Sequence, residues 1–530
     1  MTKYLLSRLA RGVFSIIIVV LIVMLLIYSC LDRNLVFAKD SQWTKMKSNS
    51  KTVYEYQQWE KYGYLDYVSY SDWLKEEMQN GKIAKEDYES IALLGKTAEQ
   101  DGELAAKYIK EFTEYYESQG YVVERLQGYT KPSSKKYKEG GNPQLFAYRD
   151  VPLIKRAWSY FTGIIKFDNI HYVEKNTGDT VENPGLSFTL YDPVYGGNKI
   201  SPAIIGNGTQ HKYLLYFDSE FPYVHQNFAK ISLGTSYSVN KGVDVFDTMT
   251  QSQGSHQLSI VTYPTGLTEE SADNLHSATY LSGSLDNGTP VVKDRFTDNY
   301  TVVSTYKNGF SKMGYSFIIG ILSVIMAYVI ALPLGVLMAK KKDKFIDHLG
   351  TFYIVFIIAV PSLAYIFLFK AIGDKIGLPT TFDMINPTWV MYVLPIVSLA
   401  LPSIANLMKW LRRYMIDQMN SDYVKFARSG GLSEGEIFTK HILKNAAIPI
   451  IHGIPGSVLG SLVGAIITER VYVVPGAGNL LTNAINAYDN GVIVGVTLFY
   501  AALSVVSIIL GDILMSMIDP RISFTTKKGR

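Results

Sequence analysis

The sequence predicts an α-helical membrane protein of about six spans, with a large polar α+β domain inserted between the first span and the second. Three observations predict this class. Of the 530 residues, 48% are hydrophobic and only 18% are charged, below the roughly 25% charged that is usual for soluble domains. Six apolar runs approach or exceed the about 20 residues that a spanning helix needs. The polar residues 32–308 separate the first run from the other five.

The first predicted span is Gly12–Ser29, and the other five lie close together in the carboxyl-terminal part of the chain. A buried helix of a soluble protein can resemble one such run, whereas six of them indicate a polytopic membrane protein. The five are Met313–Ala339, Leu349–Ile372, Thr388–Met408, Ala446–Thr468 and Val492–Ile518.

The end of the first run has a second interpretation. Ile27-Tyr28-Ser29-Cys30 follows a basic segment and an apolar run, as a lipoprotein cleavage box would. Tyr28 fits the small-residue requirement of such a box poorly, and five further spans make a lipid anchor redundant. We therefore predict a membrane span that ends at a cysteine, and whether Cys30 is modified stays open.

Lysines and arginines in the short flanking segments predict the orientation. The long insert is not counted, because long domains cross the membrane largely regardless of charge. The basic residues flank the first span on its amino-terminal side, follow the second, separate the fourth from the fifth and follow the sixth. Both termini are therefore expected in the cytoplasm and the insert outside the cell. These residues are Lys3, Arg8 and Arg11; Lys340, Lys341, Lys342 and Lys344; Lys409, Arg412, Arg413, Lys425, Arg428, Lys440 and Lys444; and Arg521, Lys527, Lys528 and Arg530.

The polar insert predicts an α+β domain. Its first part, Tyr54–Gln119, repeats apolar residues at helical spacing. From Gln144 onward, short β-branched and aromatic runs such as Tyr213–Phe217 and Gln257–Tyr263 predict strands, and Lys131–Asn142 is expected to be a loop. The histidines of the insert show no metal-ligand spacing, and nothing in it predicts an enzyme.

If ATP drives this protein, the ATPase must be another chain. A phosphate loop needs two glycines at a fixed spacing before a lysine, and the nearest match, Gly95-Lys96-Thr97, has Ser90 where the first glycine belongs. An ion gradient would instead require ionisable residues in mid-membrane. Asp512 and His452 are the candidates, and we expect Asp512 to pair with a neighbouring helix. Glu469 lies near a span end, where a long side chain reaches water cheaply.

The segment between the fourth and fifth spans is the most informative part of the chain. It reads SDYVKFARSGGLSEGEIFTKHILKNAAIPI over residues 421–450. A short helix with Tyr423, Phe426 and Ala427 on its apolar face is predicted to end at Gly430-Gly431. An amphipathic helix lying on the lipid surface would explain the cations of this segment, but not its double glycine.

A second helix is predicted directly after the glycines. Ser433 is the expected N-cap, and Glu436 three residues later completes a capping box. The two helices with their glycine break predict a compact hairpin below the membrane. The apolar stripe of the second helix comprises Ile437, Phe438, His441 and Ile442.

This hairpin resembles the EAA loop of ABC-importer permeases, in its oligopeptide/dipeptide version. The family pattern reads D-Y-V-x-x-A-R-A-x-G-L-S, followed by H-x-L-x-N-A and a proline. The glutamate that names the loop is Lys425 here, and Ser429 and Gly430 also depart from the pattern. The matching residues are Asp422, Tyr423, Val424, Ala427, Arg428, Gly431, Leu432 and Ser433, then His441, Leu443, Asn445, Ala446 and Pro449.

The resemblance extends over about the first 30 residues and nearly all of 310–522. The insert resembles that of the Ami-type oligopeptide permeases of streptococci, over 211–217 and 221–228 for example. Other matching segments are Tyr4–Arg8, Leu233–Tyr237, Ala331–Gly335, Thr468-Glu469 with Pro475–Gly478, and Asp519–Arg521.

The resemblance implies a type I ABC-importer permease in the bacterial cell membrane, a non-catalytic subunit that imports oligopeptides with energy from ATP. It implies no cofactor for this chain, because ATP and Mg²⁺ bind to partner ATPases. The implied partners are a second homologous permease subunit, two cytosolic ATPase subunits and an extracellular lipid-anchored peptide-binding protein. The implied division is 1–31 for the amino terminus and first span, 32–308 for the extracellular domain, 309–520 for the permease domain with its coupling loop 421–449, and 521–530 for a cytoplasmic tail.

The resemblance also assigns coupling to the ATPase to the hairpin. Ala427 and Gly431 are expected to stay small, so that the hairpin fits a groove on the ATPase. Prolines in or beside the spans weaken the helix ladder and permit bending during gating. The coupling residues are Asp422, Tyr423, Ala427, Arg428, Gly431, Leu432, Ser433 and Glu434, and the prolines are Pro361, Pro395, Pro402, Pro449 and Pro455.

Two other functions remain open from the sequence. A gradient-driven secondary transporter would depend on Asp512, and a membrane-anchored surface receptor would act through its exterior domain alone. The EAA-like hairpin favours the importer.

Overall fold

The computed structural model describes residues 2–128, 141–177, 181–191, 200–209, 213–217, 224–226, 229–250, 252–255, 259–262, 268–271, 306–383 and 388–518. Most of the predicted loop Lys131–Asn142, and the whole predicted tail 521–530, lie outside these residues. The chain divides into two compact units, Met24–Ile164 and a second made of Met1–Val23 with Ile165–Arg530. The predicted insert 32–308 is thus divided between the two.

The unit Met24–Ile164 combines a small antiparallel sheet with helices. The strands are β1 (Leu65–Ser69), β2 (Val122–Leu126) and β3 (Gln144–Asp150), in the order β1-β3-β2. Its helices are α2 (Ser41–Lys45), α3 (Ser48–Lys61), α4 (Tyr70–Gln79), α5 (Tyr88–Ala92), α6 (Glu103–Ser118) and α7 (Leu153–Thr162), and α1 (Thr2–Cys30) begins in the other unit.

The core of this unit lies between the sheet and α4 to α6. Leu74, Ile91 and Phe112 are completely buried there, together with Ala147 of β3. Helix α4 begins where the Ser69 hydroxyl accepts a hydrogen bond from the Asp72 amide, an N-cap that satisfies one of the free amides of the first turn. The tyrosines of the insert therefore serve partly as core residues, as Tyr70 and Tyr116 do.

The helical prediction for Tyr54–Gln119 is wrong at one element. Residues Leu65–Ser69 form β1, which pairs with β3 from Leu65↔Asp150 to Ser69↔Phe146. The pairing is non-local, so tertiary contacts override the weak local preference. Within the part predicted to be strands, α7 is a helix, whereas Tyr213–Phe217 is a strand as predicted and Ser259–Thr262 is a strand inside the predicted Gln257–Tyr263.

The second unit contains further short strands ahead of its long helices. Strands β5 to β8 form a four-stranded sheet, and three two-stranded pairs are β4 with β9, β10 with β13, and β11 with β12. The strands are β4 (Ile165–Phe167), β5 (Gly185–Tyr191), β6 (Ile200–Asn207), β7 (Tyr213–Phe217), β8 (Val224–Gln226), β9 (Ala229–Ile231), β10 (Ser252–Ser255), β11 (Ser259–Thr262), β12 (Thr268–Ser271) and β13 (Tyr306–Ser311), with the short helices α8 (Tyr172–Thr177) and α9 (Val245–Thr250).

Long apolar helices make up the rest of this unit. They are α10 (Lys312–Lys340), α11 (Phe345–Ala359), α12 (Ser362–Lys375), α13 (Val393–Met419), α14 (Asp422–Ser429), α15 (Glu434–Glu436), a π-helical stretch (Ile437–Leu443), α16 (Lys444–His452), α17 (Ile454–Tyr472), α18 (Ala477–Asn486) and α19 (Asn490–Ile518). Among the described residues, four helices are long and apolar enough to cross a membrane, namely α1, α10, Trp389–Met419 and α19. Two bent helix pairs bring the number to six if each crosses as one span.

The third predicted span, Leu349–Ile372, is not one straight helix. Helices α11 and α12 meet at an angle of 108° around Val360 and Pro361. Proline has no backbone N–H and disfavours helical geometry in the preceding residue, and Val360 is extended with ψ 129°. Pro361 therefore breaks the run into a broken span or a re-entrant pair.

The remaining prolines occupy three kinds of position. Pro455 lies at the start of α17, beside the 42° bend that follows His452. Pro395 lies in the first turn of α13, where a missing N–H costs nothing. Pro402 and Pro449 lie inside α13 and α16. A role for any of them in gating stays a prediction.

Candidate functional site: the hairpin and the neighbouring cleft

The predicted hairpin is formed by α14 and α15 with the π-helical stretch. Helix α14 ends at Ser429, and Gly431 has φ +78°. The Ser433 hydroxyl accepts from the Glu436 amide while the Glu436 carboxylate accepts from the Ser433 amide, so the predicted glycine break and capping box are confirmed. The π-helical turns that follow are a feature often found at functional sites.

The hairpin is held to the long helices by a small apolar core. Val424, Ile437 and Ile442 are buried there against Leu411 and Met415 of α13. The Tyr423 hydroxyl donates to Gln418 Oε1 at 2.6 Å and accepts from Asn445 Nδ2 at 3.0 Å. Both arms of the hairpin therefore pack against α13.

The predicted apolar face of α14 is partly wrong. Val424, not Phe426, packs inward, and the Phe426 side chain is 76% exposed, with Leu432 39% exposed. A large exposed aromatic ring next to a second apolar residue is typical of a contact made with another protein. In this chain the hairpin thus presents Phe426 and Leu432 outward.

Charged residues line the outer surface of the hairpin. Arg428 donates from Nε to Glu434 Oε1 at 2.6 Å, across the glycine turn. Lys425 lies 2.9 Å from Asp422 and lowers the pKa of that carboxyl through its hydrogen bond. These pairs are exposed, so they contribute little stability and serve mainly to set the shape and charge of the surface.

Gly431 is constrained by its backbone conformation. A Cβ added at Gly431 would meet nothing within 4 Å, but its positive φ is a conformation that L side chains rarely adopt. Glycine is therefore favoured here by the backbone conformation of this chain, and not by the space around its Cα. A requirement for small size toward a partner stays a prediction.

A cleft of about 570 Å³ lies between α12, α13 and α17. Its described lining residues carry seven hydroxyl groups and one side-chain amide besides aliphatic side chains, and none of them is acidic or basic. Gly456 and Gly460 also line it, and a Cβ at either would meet nothing within 4 Å. The polar lining residues are Ser362, Tyr365, Ser398, Ser403, Asn406, Ser457, Ser461 and Thr468.

Two walls of this cleft are connected to the hairpin along the chain. Helix α13 leads into α14 through Asn420 and Ser421, and α17 follows the second arm of the hairpin through α16 and a 42° bend. The third wall is tied through α11, because Arg412 of α13 donates to both oxygens of Asp347 at 2.5 and 2.7 Å. Asp347 is buried, and such two-point pairs fix orientation. Helix α13 is thus shared between the hairpin and the cleft.

Asp512 is engaged with α1, as the sequence predicts. Its Oδ2 lies 3.0 Å from Arg8 Nε and accepts from the Tyr4 hydroxyl at 3.0 Å. A carboxylate committed to an arginine is a poor member of a proton relay. The contact also brings the amino-terminal end of α1 beside the carboxyl-terminal end of α19.

Glu469 corrects a sequence expectation. It does not reach water but is fully buried, accepting from the Ser316 hydroxyl at 2.5 Å and from the Asn479 amide at 3.2 Å. A Cβ at Gly476 would overlap its carboxyl group. The residues that follow Pro475 therefore form a helix start against which Glu469 packs.

Asp489 was not identified from the sequence. Its buried carboxylate accepts from the Ser236 hydroxyl and from the amides of Tyr237, Ser238 and Val239, at 2.6 to 3.0 Å. Its loop position between α18 and α19 carries no local pattern. The only signal was the family-like segment Leu233–Tyr237, which the structure brings to this carboxylate.

This chain is similar to known proteins, in one case along its whole length. Residues 331–524 match the family of binding-protein-dependent transport system inner membrane components. Over 100% of both chains, this chain is 34% identical to the oligopeptide transport system permease protein AmiC of Streptococcus pneumoniae serotype 4. The chain belongs to the family of ABC-importer permeases. This permease is accordingly a multi-pass membrane protein and a transport subunit.

Shorter relatives match the helical part of this permease. The dipeptide transport system permease protein DppB of Bacillus subtilis is 31% identical over 40% of this chain and 69% of its own. A solved structure, a crystal structure of an amino acid ABC transporter with histidines, aligns at 17% identity and a TM-score of 0.32, covering 40% of this chain and 92% of that chain. That likeness is too weak to carry an argument about the fold.

Proposed function

We propose that this permease forms half of the translocation pathway of an ATP-driven oligopeptide importer. The proposal that the cargo is oligopeptides rests on the similarity to an oligopeptide permease along the entire chain, polar insert included. A wall of hydroxyl, glycine and aliphatic surfaces with no charged side chain among its described residues suits peptides of varied sequence, since it penalises no side-chain charge.

We propose that ATP and Mg²⁺ are bound by two separate cytosolic ATPase subunits, and that the hairpin couples them to this permease. Phe426 and Leu432 provide the apolar contact, with Asp422, Arg428, Ser433 and Glu434 around it. Movement of the ATPases then displaces the hairpin as a rigid body, and its attachment to α13, α17 and α11 tilts the walls of the cleft. Packed elements with two arrangements are the usual basis of such switching.

The coupling is tested by Phe426→Ala in cells that carry the complete transporter. Truncation of an exposed aromatic anchor is expected to lower peptide-stimulated ATPase activity and uptake of a labelled pentapeptide by tenfold or more, because such anchors contribute about 2 kcal/mol to an interface. Phe345→Ala, which removes an equally exposed ring at the start of α11, is the matched control. Full uptake in Phe426→Ala, with normal membrane levels of the protein, would contradict coupling through this surface.

The orientation we propose places both termini and the hairpin in the cytoplasm and the polar residues 32–308 outside, where a lipid-anchored peptide-binding protein docks. Cys30 is the one cysteine of the sequence, and it is exposed at the end of α1. A membrane-impermeant maleimide should therefore label intact cells. In Cys30→Ser with Lys425→Cys, labelling should require permeabilised cells. Labelling of Lys425→Cys in intact cells would reverse the orientation, and an unlabelled Cys30 in permeabilised cells would indicate that the thiol is modified.

A second permease subunit completes the pathway in this proposal, because one chain supplies a wall and not a closed channel. Purification of the chain from gently solubilised membranes should yield a second permease, two ATPases and, with peptide present, the binding protein. Uphill peptide transport by the chain alone in liposomes would overturn the proposal.

A further inference from the structure

A second cleft, of about 280 Å³, runs between α1 and α19 and has two different ends. Arg8 and Arg11 lie at one end, and apolar side chains such as Ile16, Val19 and Ala501 line the remainder. From Arg11 to Val19 the helix rises about 12 Å. The cleft thus has a cationic end and an apolar groove about 12 Å long, which is long enough for part of an acyl chain.

The cationic end carries one net positive charge. Arg8 is neutralised by Asp512 at 3.0 Å. Arg11 donates from Nε to the Ser7 carbonyl oxygen at 3.2 Å, and among the described residues it forms no ion pair. The rest of its guanidinium group is therefore available for an anion, and one negative headgroup would balance the site.

The apolar walls favour a phospholipid over a free phosphate as this anion. Val19 and Ile508 are 41% and 49% exposed, although they belong to helices that cross the membrane, so this surface faces lipid or another chain. A free phosphate would gain nothing from these walls, whereas a phospholipid places its phosphate at the arginines and its chain along the apolar side chains. Basic pockets between spanning helices on the cytoplasmic side are known to bind anionic headgroups.

We propose that the cleft between α1 and α19 binds one anionic phospholipid of the cytoplasmic leaflet. The phosphate lies at Arg11, and an acyl chain follows Ile16, Val19 and Ala501. The close approach of the two helices at Gly12, where an added Cβ would overlap Val505, forms the floor of the cleft. The lipid thereby fills the space that the loosely packed α1 leaves against α19.

The test uses the full chain in detergent, titrated with phosphatidylglycerol or phosphatidylcholine and followed by native mass spectrometry. We expect one tightly retained phosphatidylglycerol, bound about fivefold more tightly than phosphatidylcholine, equivalent to roughly 1 kcal/mol for one arginine. Arg11→Gln should abolish this preference. Arg413→Gln, which removes an exposed arginine of α13 outside the cleft, should leave it unchanged.

A second variant separates a lipid from a free phosphate. Ser504→Phe fills the cleft from α19 and keeps both arginines, so it should lose the retained lipid. Millimolar inorganic phosphate should not displace the lipid from the unchanged protein. Equal losses in Arg11→Gln and Arg413→Gln, displacement by phosphate, or a polypeptide retained at this cleft in place of lipid would each overturn the proposal.

Discussion

Ser236 and Asp489 are 253 residues apart in the sequence, yet the Ser236 hydroxyl donates to the Asp489 carboxylate at 2.6 Å. Three consecutive backbone amides, from Tyr237 to Val239, point at the same carboxylate. Gly491 and Gly495 allow the segment to approach α19 closely, since a Cβ at either would meet its carbonyl oxygens at Thr235 and Leu233. The carboxylate thus fastens this segment to the start of α19.

Asp489→Asn tests this fastening. The amide group retains one acceptor oxygen and turns N–H donors toward backbone N–H groups, so several charge-assisted bonds are lost. We expect the free energy of unfolding to fall by about 2–3 kcal/mol, with faster protease cleavage between residues 232 and 244. Asp374→Asn, at an exposed carboxylate at the end of α12, should be neutral. Unchanged cleavage in Asp489→Asn would show that the contact does not hold the segment.

Gly431 distinguishes a backbone requirement from a size requirement. Left-handed geometry costs most L-residues about 1–2 kcal/mol, and asparagine tolerates it better than alanine. Gly431→Ala is therefore expected to lower peptide uptake several-fold, and Gly431→Asn less so, although its side chain is larger. Gly435→Ala, at an open helical position with ordinary φ, is the control. If Gly431→Asn is the worse variant, the fit to the ATPase groove governs this position.

The cleft between α12, α13 and α17 is tested by Gly460→Leu. The added side chain enters open space, and glycine inside a helix costs about 0.5–1 kcal/mol relative to alanine, so thermal stability should not fall. Peptide uptake should fall by an order of magnitude if peptides pass along this wall. Val463→Leu, on the same helix but outside the cleft, should transport normally. Normal uptake in a correctly inserted Gly460→Leu would place the pathway elsewhere.

Asp512→Asn separates the importer from a gradient-driven transporter. The substitution removes the ion pair with Arg8, a part-exposed contact whose loss costs about 1 kcal/mol or less. Peptide uptake is expected to stay within about twofold of normal on that basis, to resist a proton ionophore and to stop on ATP depletion. Abolished uptake in a stable Asp512→Asn, with sensitivity to the ionophore, would favour the gradient.

Local sequence patterns determined much of this protein. Four of the six predicted spans coincide with long apolar helices, since length and hydrophobicity act locally, and the other two fall on bent helix pairs. The double glycine and the Ser433–Glu436 capping box predicted the hairpin, because backbone conformation and capping depend on neighbours in the chain. Asp512, an acidic residue within an apolar run, likewise predicted a partner on another helix. The sequence did not identify Arg8 as that partner.

Tertiary structure decided what depends on residues far apart in the chain. It made Leu65–Ser69 a strand through pairing with β3, and it buried Val424 in place of Phe426. Glu469 is a buried partner of Ser316, and Asp489 accepts hydrogen bonds from a segment more than 200 positions away. The cleft exists only where three separate helices meet. These features follow from which surfaces are packed together, since burial and hydrogen bonding in the folded state are set by neighbours in space.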